Sequence, residues 1–240
     1  MVKILLTVGA LIATTLIVIG TFSFQNQSKM EALEKSKDRG KLTWYAEMAK
    51  AKGQDEIAFP APISRYALAK NLNEAVAFYD VVIAEPLESN SYAGPNDIRT
   101  WYKFRIIEQL SSPTESCSNC PAIPNAPDEM LPLHENEFVA AQFGGELELD
   151  GIRLISKDTK FPPFEKHKQY LIFLSLDPVK KVGALRMGPW GTFSLDSNRN
   201  LKSVDENLKH QLREELRNQL DDSVDKLRAR IKTKSKPTLE

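Results

Sequence analysis

Three kinds of hydrophobic pattern follow one another along the chain. Residues 4–24 (ILLTVGALIATTLIVIGTFSF) carry no charge at all. From residue 79 onward, apolar and polar positions begin to alternate with a period of two. From residue 203 the apolar positions fall about four apart. The first pattern predicts a membrane-inserted helix, the second a set of strands and the third an amphipathic helix.

The uncharged run is 21 residues long. As a helix it would span about 31 Å, close to the ~30 Å hydrocarbon layer of a bilayer. It exceeds the usual apolar stretch of a secretory signal peptide, and no Ala-x-Ala closes it. An uncleaved signal anchor is therefore favoured over a cleaved signal. Both readings carry the remaining chain out of the cytoplasm. No cysteine lies near the end of the run, which excludes a lipoprotein anchor.

Residues 25–39 are polar and charged and read as a helical stalk or linker that breaks at Gly40. Thr43 is a candidate cap for a short helix over 44–52, with Gly53 at its C-terminal turn. Pro60 and Pro62 make 57–63 extended. Asn71 followed by Glu74 resembles a capping box that opens a helix to about Phe78.

Strands are then expected at 79–85 (YDVVIAE), 98–110 (IRTWYKFRIIEQL), 137–143 and 169–176 (QYLIFLSL), with shorter ones at 182–187 and 191–195. In the second of these, Tyr102, Phe104 and Ile106 share a face opposite Trp101, Lys103 and Arg105. Residues 147–155 (LELDGIRLI) form a hairpin, because Asp150-Gly151 suits a two-residue type I′ turn. That turn pairs Leu149 with Ile152, Glu148 with Arg153 and Leu147 with Leu154. About eight short strands separated by turn residues predict a mainly β fold, a small antiparallel barrel or sandwich.

Ser203 with Glu206 is a second capping box, and one long helix is expected after it. Its stripe runs Val204, Leu208, Leu212, Leu216, Leu220, Val224, Leu227 and Ile231. A step of four overshoots a 3.6-residue turn, so the stripe winds and does not suit a long coiled coil. The end, 226–236, is basic and could touch anionic lipid, though basic residues also suit a helix C-terminus.

Composition removes whole classes of function. The 32 basic and 32 acidic side chains cancel, so general attraction to nucleic acid is not expected. The two cysteines are too few for a disulfide-built scaffold. They are Cys117 and Cys120, a CxxC pair among Pro113, Pro121, Pro124 and Pro127. The pair is open to three readings: a local disulfide, a redox couple or half of a metal site. No βαβ pattern adjoins it, Pro121 stands where haem attachment needs His, and a zinc site would lack ligands. An oxidising compartment favours the disulfide. The histidines, His134, His167 and His210, read as surface residues, and His134 sits in LHENE, which is not HExxH. No phosphate-binding loop, dinucleotide fingerprint or G-x-S-x-G elbow occurs. No catalytic residue, metal ligand or cofactor site is assigned.

The segments DVVIAE, TWYKFRIIEQL, a Gly-Gly pair, FEKHKQYLIFLSL and GPWGTFSLD, spanning 72–196, resemble a pattern of exported bacterial proteins of unassigned function. Their layout is also similar to netrin-like domains, which are OB-type barrels and include tissue inhibitors of metalloproteinases. The resemblance implies a small OB-like barrel. Those inhibitors depend on an N-terminal cysteine and several disulfides, which this chain lacks, so protease inhibition does not carry over.

The expected organisation is a transmembrane signal anchor at 1–27, a stalk and extended linker at 28–70, a β-barrel domain at 71–200 and an amphipathic helix with a basic tail at 201–240. The expected partner of 4–24 is the lipid bilayer, with the globular part outside the cytoplasm. The expected role is a non-enzymatic binding or interaction module with an unidentified protein partner. The alternatives are a thiol–disulfide protein using Cys117 and Cys120, and a terminal helix that itself docks on a partner or bilayer.

Overall fold

Strand alternation and turn chemistry close a barrel. The structure is a computed structural model that describes residues 27–62, 69–94, 96–115, 123–205 and 210–234. Strand β1 is Glu56–Pro60, β2 is Asp80–Ala93 and β3 is Ile98–Ser111. They are followed by β4 (Glu137–Phe143), β5 (Gly145–Leu149), β6 (Ile152–Lys157), β7 (Tyr170–Asp177), β8 (Val182–Ala184), β9 (Thr192–Leu195) and β10 (Leu201–Ser203).

Five of these form a ring. β2 pairs antiparallel with β3, and β3 with β4. β4 meets β8 in a short parallel contact, Val139 to Val182 and Ala140 to Gly183. β8 returns antiparallel to β7, and β7 antiparallel to β2. The result is a closed five-stranded barrel, consistent with an OB-like barrel. Its interior is filled by the alternating positions Val82, Ala84, Tyr102, Phe104, Phe138, Ala140, Tyr170, Ile172 and Leu174. β9 and β10 extend the sheet beyond β7.

Outside the ring, β1, β6 and β5 make a separate three-stranded sheet. The β5–β6 hairpin has the expected register, with Leu149 opposite Ile152, Glu148 opposite Arg153 and Leu147 opposite Leu154. Asp150 and Gly151 take φ of 51° and 75°, as a type I′ turn requires. Helix α1 (Leu42–Lys52) covers this sheet through Leu42, Ala46 and Ala49 against Phe59, Ile152 and Leu154. Gly53 ends α1 in the left-handed conformation, but its N-cap is Lys41, and Thr43 lies inside the helix. Helical turns over 27–34 fold back on α1, where Trp44 Nε1 donates to the Leu33 carbonyl at 2.6 Å. The described part of the expected stalk is thus packed against the domain.

Three more helices cover the outer side of the barrel: α2 (Leu72–Phe78), α3 (Gln211–Leu220) and α4 (Val224–Lys234). The Asn71 carboxamide accepts from Glu74 N at 2.9 Å, and the Glu74 carboxylate accepts from Lys70 N, a reciprocal N-terminal box. The expected single long helix is two helices. Asp221 and Asp222 have φ of 48° and 53°, and consecutive left-handed residues cannot continue an α-helix. The turn lets the winding stripe stay buried. Leu212, Leu216, Leu220, Val224, Leu227 and Ile231 all pack on Val81, Ile83, Leu171, Phe173 and Phe193. An ion pair fastens the same junction: Arg228 Nε and Nη2 donate to the two Glu108 oxygens at 2.6 and 2.7 Å. Arg228, with Arg199 behind it, holds the Glu108 carboxyl below the usual carboxylate range.

These contacts join the terminal helices and the outer face of the barrel in one hydrophobic core. Leu216 is fully buried, so Leu216→Ala should cost about 2–5 kcal/mol of unfolding free energy in a urea titration. A loss under 1 kcal/mol would mean the stripe is not covered by the barrel in solution.

Candidate functional site at the barrel mouth

The inward faces of β2, β3 and β4 change character along their length. At the closed end they present Val82, Ala84, Phe104, Phe138 and Ala140. Toward the other end the same faces present Ser89, Ser91, Thr100 and Gln142, with Tyr102 at the transition. A barrel core does not place hydroxyls and an amide on its inner face unless something pairs with them. Here they line a cavity of about 470 Å³ at the barrel mouth, between the ring and the β5–β6 hairpin.

Two turns shape this cavity. At the junction of β4 and β5, Gly144 and Gly145 have φ of 98° and 135°. A Cβ on Gly145 would collide with Thr100 Oγ1 and Ser91 Oγ, so the hairpin lies against the floor only because no side chain stands there. Across the mouth runs a strap, residues 158–163, which leads from β6 toward β7. Asp158 Oδ1 accepts from Lys160 N at 2.9 Å and Phe161 N at 3.1 Å, which shapes the strap's first turn. Phe164 then enters the barrel and meets Tyr102, Phe104, Phe161 and Tyr170 edge-on, at ring separations of 4.9–5.6 Å. Gln142 Nε2 donates to the carbonyls of Phe161 and Pro162, tying strap to floor.

The polar inventory of the cavity does not close. Thr100 Oγ1 bonds the Gly144 carbonyl at 2.8 Å and Ser91 Oγ at 3.0 Å. Gln142 Oε1 and Ser156 Oγ are buried and have no partner. Their residues are only 5% and 3% exposed. An unpaired buried polar group costs about 1–3 kcal/mol, so these two atoms lower the stability of this end of the barrel. Burial pushes the Tyr102 hydroxyl up to about 12, so that group stays neutral. Three charged residues, Glu146, Lys157 and Asp158, also line it, and Glu146 accepts from Arg153. The walls are otherwise apolar: Phe143, Ile155, Phe161, Pro162 and Pro163. A second hollow of about 550 Å³ adjoins the first at 157–159 and is faced by Phe59, Pro60, Pro62 and Trp190.

The residues singled out by sequence lie elsewhere. Cys117 and Cys120 fall outside the described residues, as does the apolar run 4–24. Among the described residues no helix is long and apolar enough to cross a membrane. The segment 123–133, which follows the cysteine pair in the chain, crosses the outer barrel face, where Met130 packs with Trp101, Val139 and Val182. The three histidines stand in three different connections. His134 precedes β4, its carbonyl accepting from Lys181 Nζ at 2.8 Å. His167 sits in a positive-φ turn with Nδ1 2.9 Å from Glu85 Oε1, and Glu85 is also bonded by Arg105 at 3.0 Å. His167 and Arg105 together hold the Glu85 carboxyl below its usual range. His210 is half-buried and caps α3, its Nδ1 accepting from Leu212 N at 3.2 Å, a role the sequence reading did not give it. Among the described residues no group of three His, Cys, Asp or Glu side chains could hold a metal ion.

The mouth itself was missed because its residues are ordinary Ser, Thr and Gln. The available signal was the switch from apolar to polar on one strand face, Phe104–Tyr102–Thr100 and Phe138–Ala140–Gln142. No protein-family model matches the chain, and neither a curated protein nor a solved structure matches it.

Two outcomes follow from this geometry. Ser156→Ala removes an unpaired hydroxyl and should leave stability unchanged or raise it by up to about 1 kcal/mol, whereas Phe164→Ala should cost about 3–5 kcal/mol. Denaturant unfolding of both variants checks the contrast. Burial lowers the His210 pKa in the folded chain. The unfolded state therefore binds the proton first as pH falls below about 6.5. His210 thus supports stability above that pH and withdraws it on acidification, when protonation also removes the Nδ1 acceptor. In His210→Asn, which keeps a capping side chain, the fall in melting temperature between pH 7 and 5 should be smaller.

Proposed function

We propose that the chain is an exported protein held at the membrane by residues 4–24, with the barrel as a non-enzymatic binding module. The observation that carries the binding reading is the run of polar inner-face residues, Ser89, Ser91, Thr100 and Gln142, that lines an open cavity of about 470 Å³ at the barrel mouth. Mouths of β-barrels are recurrent ligand sites, and such pockets combine mostly apolar walls with a few placed polar groups. The Phe164 plug and the Gly144–Gly145 turn preorganise the floor, which lowers the ordering cost of binding. The likeness in layout to netrin-like domains agrees with a five-stranded ring, and none of the inhibitors' chemistry is transferred. The membrane reading rests on the length and apolarity of 4–24 and on its flank by Lys3.

Two measurements test the two halves. A mixture of uncharged fragments should shift amide resonances of Gly144, Gly145 and Ser156; shifts gathered elsewhere, or none, would refute the binding site. In cell fractions washed with alkaline carbonate, the full chain should stay with the membranes and a form lacking residues 1–26 should be released. Release of the intact full chain would refute the anchor.

A further inference from the structure

We propose that the hollow between the end of β1, the start of the strap and the turn at Pro189-Trp190 binds a monocarboxylate with a compact apolar body. It is a second site of about 550 Å³, and it shares only residues 157–159 with the mouth cavity.

Short backbone and side-chain bonds fix its walls. Ala61 N donates to the Lys157 carbonyl at 2.9 Å, which holds the end of β1 beside the start of the strap. The turn 188–191 is braced by Trp190 N on the Met187 carbonyl at 3.1 Å and by Thr192 Oγ1 on the Gly188 carbonyl at 2.8 Å. A Cβ on Gly191 would stand 2.5 Å from the Met187 Cβ, so the turn closes only without a side chain there. Walls set in advance lower the ordering cost of binding.

The lining is apolar, with charge at one side. Phe59, Pro60, Pro62, Pro189 and Trp190 supply the apolar part. Three charged residues line the hollow: Lys157, Asp158 and Lys160. Asp158 Oδ1 already accepts from Lys160 N and Phe161 N, at 2.9 and 3.1 Å, in the strap's own turn. Two ammonium groups against one carboxylate leave one positive charge in excess, which a singly charged anion cancels. Lysines elsewhere sit on carboxylates, as Lys103 does on Glu88 and Lys168 on Glu165. Among the described residues neither Lys157 nor Lys160 makes an ion pair. Both are exposed, and their four-carbon stems give the ammonium groups the reach to meet an acid head at the rim while its body fills the hollow.

Other ligand classes fit less well. A polyol would find one neutral hydroxyl, that of Thr159. A strand added along β1 would need backbone donors that Pro60 and Pro62 lack. A cation would meet two like charges.

The test uses the full chain in nanodiscs of zwitterionic lipid, with empty nanodiscs as the blank. Amide resonances of Ala58, Ala61, Thr159 and Lys160 are followed by NMR. The probes are 3-phenylpropanoate, its amide 3-phenylpropanamide, and 3-phenylpropylamine. The acid should shift these resonances and bind about fivefold more tightly than the amide, the scale of two exposed ion pairs. The amine should bind more weakly than the amide. Replacing both lysines together, Lys157→Gln with Lys160→Gln, should bring the acid down to the amide's affinity and leave the amide's own affinity unchanged. A merely structural role for the lysines would weaken acid and amide alike, and that result would overturn the proposal. So would an acid that binds no more tightly than the amide, unchanged acid affinity in the double variant, or no shift from any probe at millimolar concentration. Shifts from the acid confined to Gly144, Gly145 and Ser156 would place it in the mouth, which overturns this second site and leaves the binding-module reading standing.

Discussion

The whole architecture depends on one strand serving two neighbours. β2 is paired with β3 from Val81 to Ala93 and with β7 along its first five residues. A flat strand could not curl far enough to serve both and close a ring of only five. β2 manages it with register shifts at Val81/Val82, Ile83/Ala84 and Pro86/Glu88. Each inserts local bend and twist, and Pro86 sits where a missing donor does least harm. Closure then needs only the two-residue parallel contact of β4 with β8. Because the first half of β2 is committed on both edges, its outer face is free to seat the helices, and its inner face fills the barrel.

The second half of β2 runs beyond β7, and this overhang creates the mouth. Where the ring is complete, inner positions are apolar and fully packed. Past its end, β2, β3 and β4 continue as a three-stranded shelf whose inner positions are polar. The hairpin and strap roof this shelf without sealing it. Cavity and core are therefore consecutive stretches of the same strand faces, and the aromatic plug at Phe164 separates them.

Local chemistry was legible wherever it acts over a few residues. The Asp150-Gly151 turn dictated the hairpin register, Asn71 and Glu74 marked the start of α2, and Gly53 marked the end of α1. The alternation Tyr102–Phe104–Ile106 identified the buried face of β3. What escaped the sequence reading is non-local. The parallel pairings of β1 with β6 and of β4 with β8 join segments about forty or more residues apart with no turn between them to announce the register. The break at Asp221-Asp222 was hidden because two aspartates look like solvated helix surface, and only docking against the curved barrel rewards a left-handed pair there. The mouth escaped because Ser, Thr and Gln become informative only once the strand faces that carry them are known to point inward.

The bisected C-terminal stripe also sets the order in which the molecule can be completed. The apolar patch on β2, β7 and β9 made by Val81, Ile83, Leu171, Phe173 and Phe193 is sealed by residues as far along the chain as Leu227 and Ile231. During synthesis the strands emerge well before the helices that cover them. For that interval a nascent chain bears a greasy sheet face with nothing over it, a surface of the kind that recruits chaperones or sticks to a neighbour. The export proposed above would lengthen the interval, because α3 and α4 follow the strands they cover.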